Sequence, residues 1–196
     1  MKRFILLVVC SVFLATSAWA IPVKFQWNAS TGAVAGYKLH QGTVSGTYTS
    51  SQDVPGTGTT GTMEMDPVAS RYVAATAYDA AKRESAFSNE ILCHPVVVTS
   101  NTGGLVSPNG SFFVQQGRSV TLMVTPSTGN RILTVKVDGN PIEAPYTITN
   151  VSKRTTVDVQ FDLLPPGAPS MLDLVQQISA TLDRIDEKLA TLIDLK

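Results

Sequence analysis

Short runs of alternating apolar and polar residues, separated by turn-forming glycine, proline and asparagine, dominate the chain between residues 23 and 162. Apolar side chains at every second position indicate strands with one buried face, and a nearly continuous apolar run indicates a central strand. In the first half, the alternating runs are residues 23–27, 36–42 and 62–66, and the continuous run is residues 71–79. The polar, glycine-rich stretch between them predicts a long loop with at most one edge strand.

The segment TAYDAAKRESAFSNEI at residues 76–91 predicts a hairpin. Its first residues end the central strand at Asp79, and the charged residues 80–84 form the exposed turn. Residues 85–93 then return as the last strand of this half, with Phe87 and Ile91 pointing into the core.

The first twenty residues form a different pattern, which predicts a secretory signal. They combine a basic start, an apolar stretch at residues 4–15 that is short for a membrane span, and an Ala-Trp-Ala cleavage site at 18–20. We therefore expect export to the periplasm, cell surface or extracellular space, with Ile21 as the first mature residue. An uncleaved membrane anchor is the alternative, and no later segment is apolar enough to cross a membrane.

In their order along the chain, the predicted strands and turns of about residues 22–93 resemble those of a bacterial fibronectin type III domain. The resemblance rests on VKFQWNAS, VAGYKLHQGTVSGTY and RYVAATAYDAAKRESAFSNEI. It implies a β-sandwich at residues 21–94, with Trp27 as a buried core residue and Tyr72 as a core tyrosine whose hydroxyl bonds to nearby backbone. The family's first strand has almost no residues to form it after the expected cleavage, which would leave an unpaired sheet edge.

Residues 95–163 hold a second series of β-rich runs. The pattern Gly-x-x-x-Pro-x-Gly, then Thr-Pro-x-x-Gly, Val-Asp-Gly and Tyr-x-x-x-Asn-Val, resembles the divergent repeat related to the internalin B-repeat over about residues 97–161. The resemblance implies a small β-rich module of bacterial surface and secreted proteins, and it carries no active site.

The C-terminal region predicts a proline-rich linker at residues 164–170 and an amphipathic helix at residues 171–196. Apolar residues of the helix are spaced alternately four and three residues apart, which is the heptad pattern of a coiled coil. They are Met171, Val175, Ile178, Leu182, Ile185, Leu189 and Leu192. Leucine at one core position with isoleucine at the other favours a trimer or tetramer. The alternatives are a helix folded back on the second module and a helix lying on a membrane surface.

Charge and motifs narrow the possible functions. Lys and Arg number 15, as do Asp and Glu, whereas nucleic-acid binders normally carry a basic excess. The sequence lacks a glycine-rich phosphate loop, a paired cysteine motif, His-Glu-x-x-His and Gly-x-Ser-x-Gly. Glu64 and Asp66 fit a solvated strand face better than a catalytic pair, and Cys93, alone after cleavage, fits a small apolar role. We expect no enzyme activity, cofactor or metal.

Together these features predict a mainly β, exported protein with a fibronectin type III-like sandwich, a second β-module and a coiled-coil helix. The expected function is non-catalytic binding, adhesion or scaffolding by a self-associated chain, with a surface protein or polysaccharide as ligand. Three alternatives remain open: a carbohydrate-binding accessory of a surface enzyme system, a filament subunit completed by a neighbour's strand, and an enzyme with an unrecognised site.

The cleavage site yields a direct prediction. The exported protein should begin at Ile21, because Ala18 and Ala20 occupy the positions that signal peptidase recognises. N-terminal sequencing of the exported product checks this, and a product that retains Met1 would contradict it.

Overall fold

The structure is a computed structural model that describes residues 20–165 and 171–193. The predicted signal, most of the predicted linker and the last three residues therefore lie outside the described residues. Within the described ranges the chain is mainly β, with one helix, α1, at Met171–Ile193. No helix in this part of the chain is long and apolar enough to span a bilayer.

The strands of the first half follow the predicted alternation. They are β1 (Ile21–Gln26), β2 (Gly36–Gly42), β3 (Ser50–Pro55), β4 (Thr60–Met65), β5 (Arg71–Tyr78) and β6 (Ile91–Ser100). The predicted runs therefore become β1, β2, β4 and β5, and β3 is the edge strand allowed within the long loop. In β1 the odd-numbered residues are half-buried and the even-numbered residues are exposed, as an alternating strand requires.

The second half consists of shorter strands and the long β11 and β14. They are β7 (Gly104–Ser107), β8 (Gly110–Gln115), β9 (Val120–Thr121), β10 (Met123–Pro126), β11 (Asn130–Val137), β12 (Asn140–Pro141), β13 (Thr147–Ile148) and β14 (Thr155–Leu163). Asp138 and Gly139, both at positive φ, form the turn between β11 and β12, as the Asp-Gly pair predicts.

One large sheet joins the two halves, in the order β12-β11-β14-β6-β5-β2-β3, with β8 also paired to β6. The strand β6 is the link: its first residues pair with β5, and its later residues pair with β8 on one side and, in parallel, with β14 on the other. The two separate strands expected at 85–93 and after residue 95 are thus a single strand. The boundary drawn between residues 94 and 95 falls inside β6.

Two hydrophobic cores lie on opposite faces of this sheet. Cys93 of β6 belongs to the first core, with Leu39, Val73 and the β4 methionines, while Val96 belongs to the second, with valines of β11 and β14. Because successive strand residues point to opposite faces, β6 serves both cores. The neighbouring strand β8 does the same, since Phe113 packs on the first core and Phe112 on the second.

The β1–β4 pair covers the first core. Met63 and Met65 of β4 are fully buried, and β1 contributes Val23 and Phe25. Trp27, which follows β1, is half-buried, and its ring lies 5.1 Å from that of Tyr37. Trp27, which was predicted to be a buried core residue, is therefore only partly buried.

Residues 85–90, which were predicted to belong to the returning strand, do not form a regular strand. Ser85 and Ser88 turn their hydroxyl groups to β5, where each Oγ accepts a hydrogen bond, at 3.0 Å, from the backbone N–H of Ala77 and Ala75 respectively. Side-chain acceptors thus replace the carbonyls of a regular ladder, as serine commonly allows. The inward orientation expected of Phe87 is wrong, since its side chain is 53% exposed, whereas Ile91 does pack on the first core.

The hydrogen bond that the resemblance implies for Tyr72 is made by a different tyrosine. The Tyr72 hydroxyl makes no hydrogen bond to any described residue, and its side chain is half-buried. The buried Tyr37, one strand away on β2, accepts a 3.1 Å bond from the backbone N–H of Ser30. Tyr37 therefore anchors the loop that connects β1 to β2.

This difference is testable with two matched substitutions. Tyr37→Phe should lower the free energy of unfolding by about 1 kcal/mol, because the Ser30 N–H loses its acceptor. Tyr72→Phe should change it by less than about 0.5 kcal/mol, because the Tyr72 hydroxyl has no hydrogen bond to a described residue to lose. Urea melts of both variants measure the difference, and the reverse ranking would show that Tyr72 is the anchoring tyrosine.

Candidate functional site

The helix α1 presents an apolar stripe to solvent. Its described side chains cover residues 173–189, so Met171 and Leu192 of the predicted seam lie outside them. The other five seam residues are about half exposed: Val175, Ile178, Leu182, Ile185 and Leu189 range from 49% to 61%. Large apolar side chains left in water at heptad spacing form a surface suited to contact with another helix.

A groove of about 620 Å³ opens beside β1 on the face of the first core. We call it the β1 groove, and it has two walls and a floor. One wall is Phe25–Asn28, the other is Ser85–Asn89 with Ile91, and β5 residues including Ala75 and Ala77 form the floor. The floor residues Ala75 and Ala77 have small side chains, and the partly accessible Trp27 lines one side.

The β1 wall carries a free strand edge. The backbone N–H of Trp27 donates to the Thr59 carbonyl at 3.0 Å, so the odd-numbered residues of β1 bond to β4. In an antiparallel ladder the alternate residues direct their N–H and C=O groups the other way. The N–H groups of Lys24 and Gln26 therefore face away from β4 and bond to no described residue. Pro22 on the same edge contributes only its carbonyl.

The opposite wall is held in place by the serine bonds to β5. The backbone N–H groups of Ser85 and Ser88 donate to the carbonyls of Ala77 and Ala75, both at 2.8 Å. Together with the two hydroxyl contacts, these bonds keep residues 85–88 beside β5, although they are not a regular strand. The groove is thus bounded on both sides by fixed backbone.

The lining of the groove contains no charged side chain among the described residues. Its polar members are Gln26, Asn28, Ser30, Tyr37, Thr76, Ser85, Ser88 and Asn89. The apolar members, including Phe25, Leu39, Val73 and Ile91, lie towards the first core. Such a surface favours a neutral ligand whose inward side chains are apolar.

A second cluster lies on the opposite face of the sheet, around His40. His40 Nε2 is 2.9 Å from Thr76 Oγ1, and that hydroxyl donates to Glu84 Oε2 at 2.9 Å. The hydrogen bond from Lys38 is the main reason why the pKa of Glu84 is lowered, and burial lowers the pKa of His40. These contacts form a partly exposed hydrogen-bond and ion-pair network of Lys38, His40, Thr76 and Glu84.

Two aromatic rings extend from this cluster. Phe87 packs edge-on against His40 at 5.0 Å and lies 4.8 Å from Tyr48. The Tyr48 hydroxyl donates to Glu90 at 2.8 Å, and burial together with this bond raises the pKa of Tyr48 to about 12. The adjacent rings form a small exposed aromatic platform with polar neighbours.

Cys93 and His94 occupy neighbouring buried positions where the two cores meet. Burial raises the pKa of the Cys93 thiol to about 11, so the thiol stays protonated and unreactive at neutral pH. His94 is 3% exposed, its Nδ1 lies 2.7 Å from Ser70 Oγ, and its Nε2 bonds to no described residue. Burial lowers the pKa of His94, which favours the neutral ring.

Paired carboxylates and metal clusters do not emerge from the described part of the chain. Glu64 is exposed on β4, whereas Asp66, which was predicted to lie on the same strand, follows its end, and Arg71 lies 3.7 Å from the Asp66 carboxylate. Within the described ranges, no three His, Cys, Asp or Glu side chains lie close enough together to hold a metal ion.

The sequence predicted an unpaired sheet edge but not the groove beside it. The residues it missed are the floor alanines Ala75 and Ala77 and the wall serines Ser85 and Ser88. Their signal was present as two alanines at strand spacing in the central run, followed by two serines three residues apart. Comparison with known proteins adds no assignment, since no protein-family model and no curated protein matches the chain.

Acid should destabilise the fold in part through His94. Because the pKa of buried His94 is lowered, the unfolded state binds more protons below its ordinary pKa of 6.5. The stabilisation is therefore fully present above that pH and is lost as the pH falls through the lowered folded-state pKa. Urea melts from about pH 7.5 to about pH 5 should show a smaller loss for His94→Gln than for the wild type. Equal losses would assign the acid sensitivity to other groups.

Proposed function

We propose that this chain is an exported, non-catalytic binding and scaffolding protein that self-associates through α1. In this proposal α1 forms a coiled coil of three or four chains, and each chain presents its β-structure to a ligand. The compartment is the periplasm, the cell surface or the extracellular space, as the predicted signal implies.

The exposed seam of α1 carries the proposal. Five described seam side chains are about half exposed, and each large apolar side chain contributes roughly 1.5–3 kcal/mol when it becomes fully buried. A neighbouring copy of the same helix buries them in the strict four-three spacing that the sequence provides. Several weak binding sites on one assembly then act together, which raises the overall affinity for a repetitive surface.

The fold of each chain supports the same function. The β1–β4 pair facing the β2–β5 region fits a fibronectin type III-like sandwich, and residues 95–163 fit the divergent repeat related to the internalin B-repeat. Both resemblances imply modules of surface and secreted proteins. We infer that ligand binding is the task of these modules, with residues 164–170 as the spacer to the helix.

A carbohydrate-binding role is the second candidate, and one observation favours it. The exposed ring of Phe87 beside Tyr48 provides an aromatic surface next to the polar Glu90 and Glu84 side chains. Sugar rings commonly stack on such a platform. Retention on polysaccharide resin that Phe87→Ala abolishes would support this role over protein binding.

Assembly through α1 is tested by a charge placed in the seam. The mature wild type should scatter light as three or four chains, and Leu182→Asp should be monomeric because each chain would bury an unpaired carboxylate. The β-structure should melt at the same urea concentration in both proteins.

Gln177→Asp is the matched control, because it adds the same charge to the outer face of the helix. It should leave the assembly intact. A wild type that is monomeric at micromolar concentration would contradict self-association and, with it, the proposed multivalency.

A further inference from the structure

We propose that the β1 groove binds a single extended strand of another polypeptide, which pairs with the free edge of β1 and places apolar side chains on the alanine floor. This inference rests on the proposed binding function and names its site and the chemistry of its ligand. The strand would occupy the position expected for the first strand of a fibronectin type III-like sandwich.

The free edge selects a peptide backbone. Gln26, which lines the groove, directs its N–H and C=O groups away from β4, and Lys24, the next outward-facing residue of β1, does the same. These groups alternate at strand spacing, so an added strand satisfies them as a regular ladder does. A sugar or a compact small molecule has no repeating N–H and C=O groups at strand spacing, so it could bond to fewer of these backbone groups.

The floor and walls select the side chains of that strand. A strand beside β1 points alternate side chains towards Ala75, Ala77 and the first core, where the lining is apolar and uncharged. Charged residues at these positions would lose hydration without a partner. We therefore expect apolar residues at alternate positions and polar residues between them.

The second wall favours a single chain over a folded edge. Residues 85–88, held beside β5 by their bonds to Ala75 and Ala77, bound the groove opposite Phe25–Asn28. A second copy would have to bring its whole β1–β4 pair into this bounded space, whereas an extended strand enters it alone. The proposed cleavage after Ala20 also removes the segment that would otherwise lead into β1 from the same chain.

Trp27 provides a built-in reporter for the test. The two tryptophans are Trp19 and Trp27, so cleavage leaves Trp27 as the single tryptophan of the mature chain. Its ring lines the groove and is only half-buried. Occupancy by a strand should shield it and shift its emission to shorter wavelength.

The probe is a capped synthetic peptide of about seven alternating valine and threonine residues, enough to span β1 at roughly 3.3 Å per residue, with a lysine at each end. The control peptide has the same composition with valines and threonines in separate blocks. We expect a saturable blue shift of Trp27 emission with the alternating peptide and none with the control.

Two variants of one residue separate backbone pairing from side-chain contact. Gln26→Pro removes an N–H that faces the groove and is not used by β4, and should weaken binding about tenfold or more. Gln26→Ala keeps that N–H and should change binding less than about twofold. Ala86→Phe, at an exposed wall position, should block the groove without adding a second tryptophan, and it replaces Gln26→Pro if that variant proves unfolded by circular dichroism.

The outcomes divide cleanly. No saturable shift up to about 1 mM peptide, or equal binding by Gln26→Pro and Gln26→Ala, overturns strand addition. A Trp27 emission that blue-shifts with protein concentration alone assigns the groove to a second copy. If a chain that keeps residues 1–20 and carries Trp19→Phe already shows a shielded Trp27, the chain's own N-terminal segment fills the groove. Both results overturn the proposed partner.

The same titration on Leu182→Asp keeps this inference separate from self-association. Peptide binding by the monomeric variant with unchanged affinity supports the groove whatever the state of α1. An intact wild-type assembly without peptide binding would refute the groove alone.

Discussion

The alternation of side chains along β6 is the constraint on which the rest of the structure depends. Cys93 and Val96 lie three residues apart on one strand, and they belong to cores on opposite faces of the sheet. A shift of β6 by one residue against its neighbours would turn Val96 and Val98 out of the second core and His94 into the first. The registers with β5, β8 and β14 are therefore fixed together, and the two halves of the chain cannot slide against each other.

The same continuity determines where the chain remains open. The strand β6 pairs with only three residues of β5, namely 71–73. The remaining residues of β5 need another partner on that edge, and the segment 85–88 supplies it. That segment cannot also pair with β1, so an open channel remains between them. Pro22 and Lys24 are exposed on β1, before the residues of that strand that line the channel. Proline and lysine at a free edge discourage indiscriminate pairing with other strands.

Hydrophobic periodicity in the sequence predicted the strands and the helix correctly where that periodicity alone determines the structure. The alternation of β1, the continuous run of β5 and the four-three spacing of α1 all appear in the structure as strands or helix where the sequence placed them. Phe87 was misplaced because its orientation depends on Ser85 and Ser88 capturing β5 amides, a contact between side chain and backbone that periodicity does not encode. The adjacent Phe112 and Phe113 each pack on a core, and local periodicity does not encode this, since the second core on the other face is a property of the whole sheet.

In the proposed function, tight binding by the groove depends on assembly through the helix. A strand that adds to an edge of six residues gains only a few backbone bonds, each worth about 0.5–1.5 kcal/mol net, and it loses conformational freedom in the process. Such a site is weak as a monomer. If α1 links several copies as proposed, each further contact becomes an intramolecular event whose effective concentration is set by the spacer. An uncharged site that is weak in one chain would then suffice for firm attachment to a surface that repeats the same strand, while a single strand in solution would be released quickly.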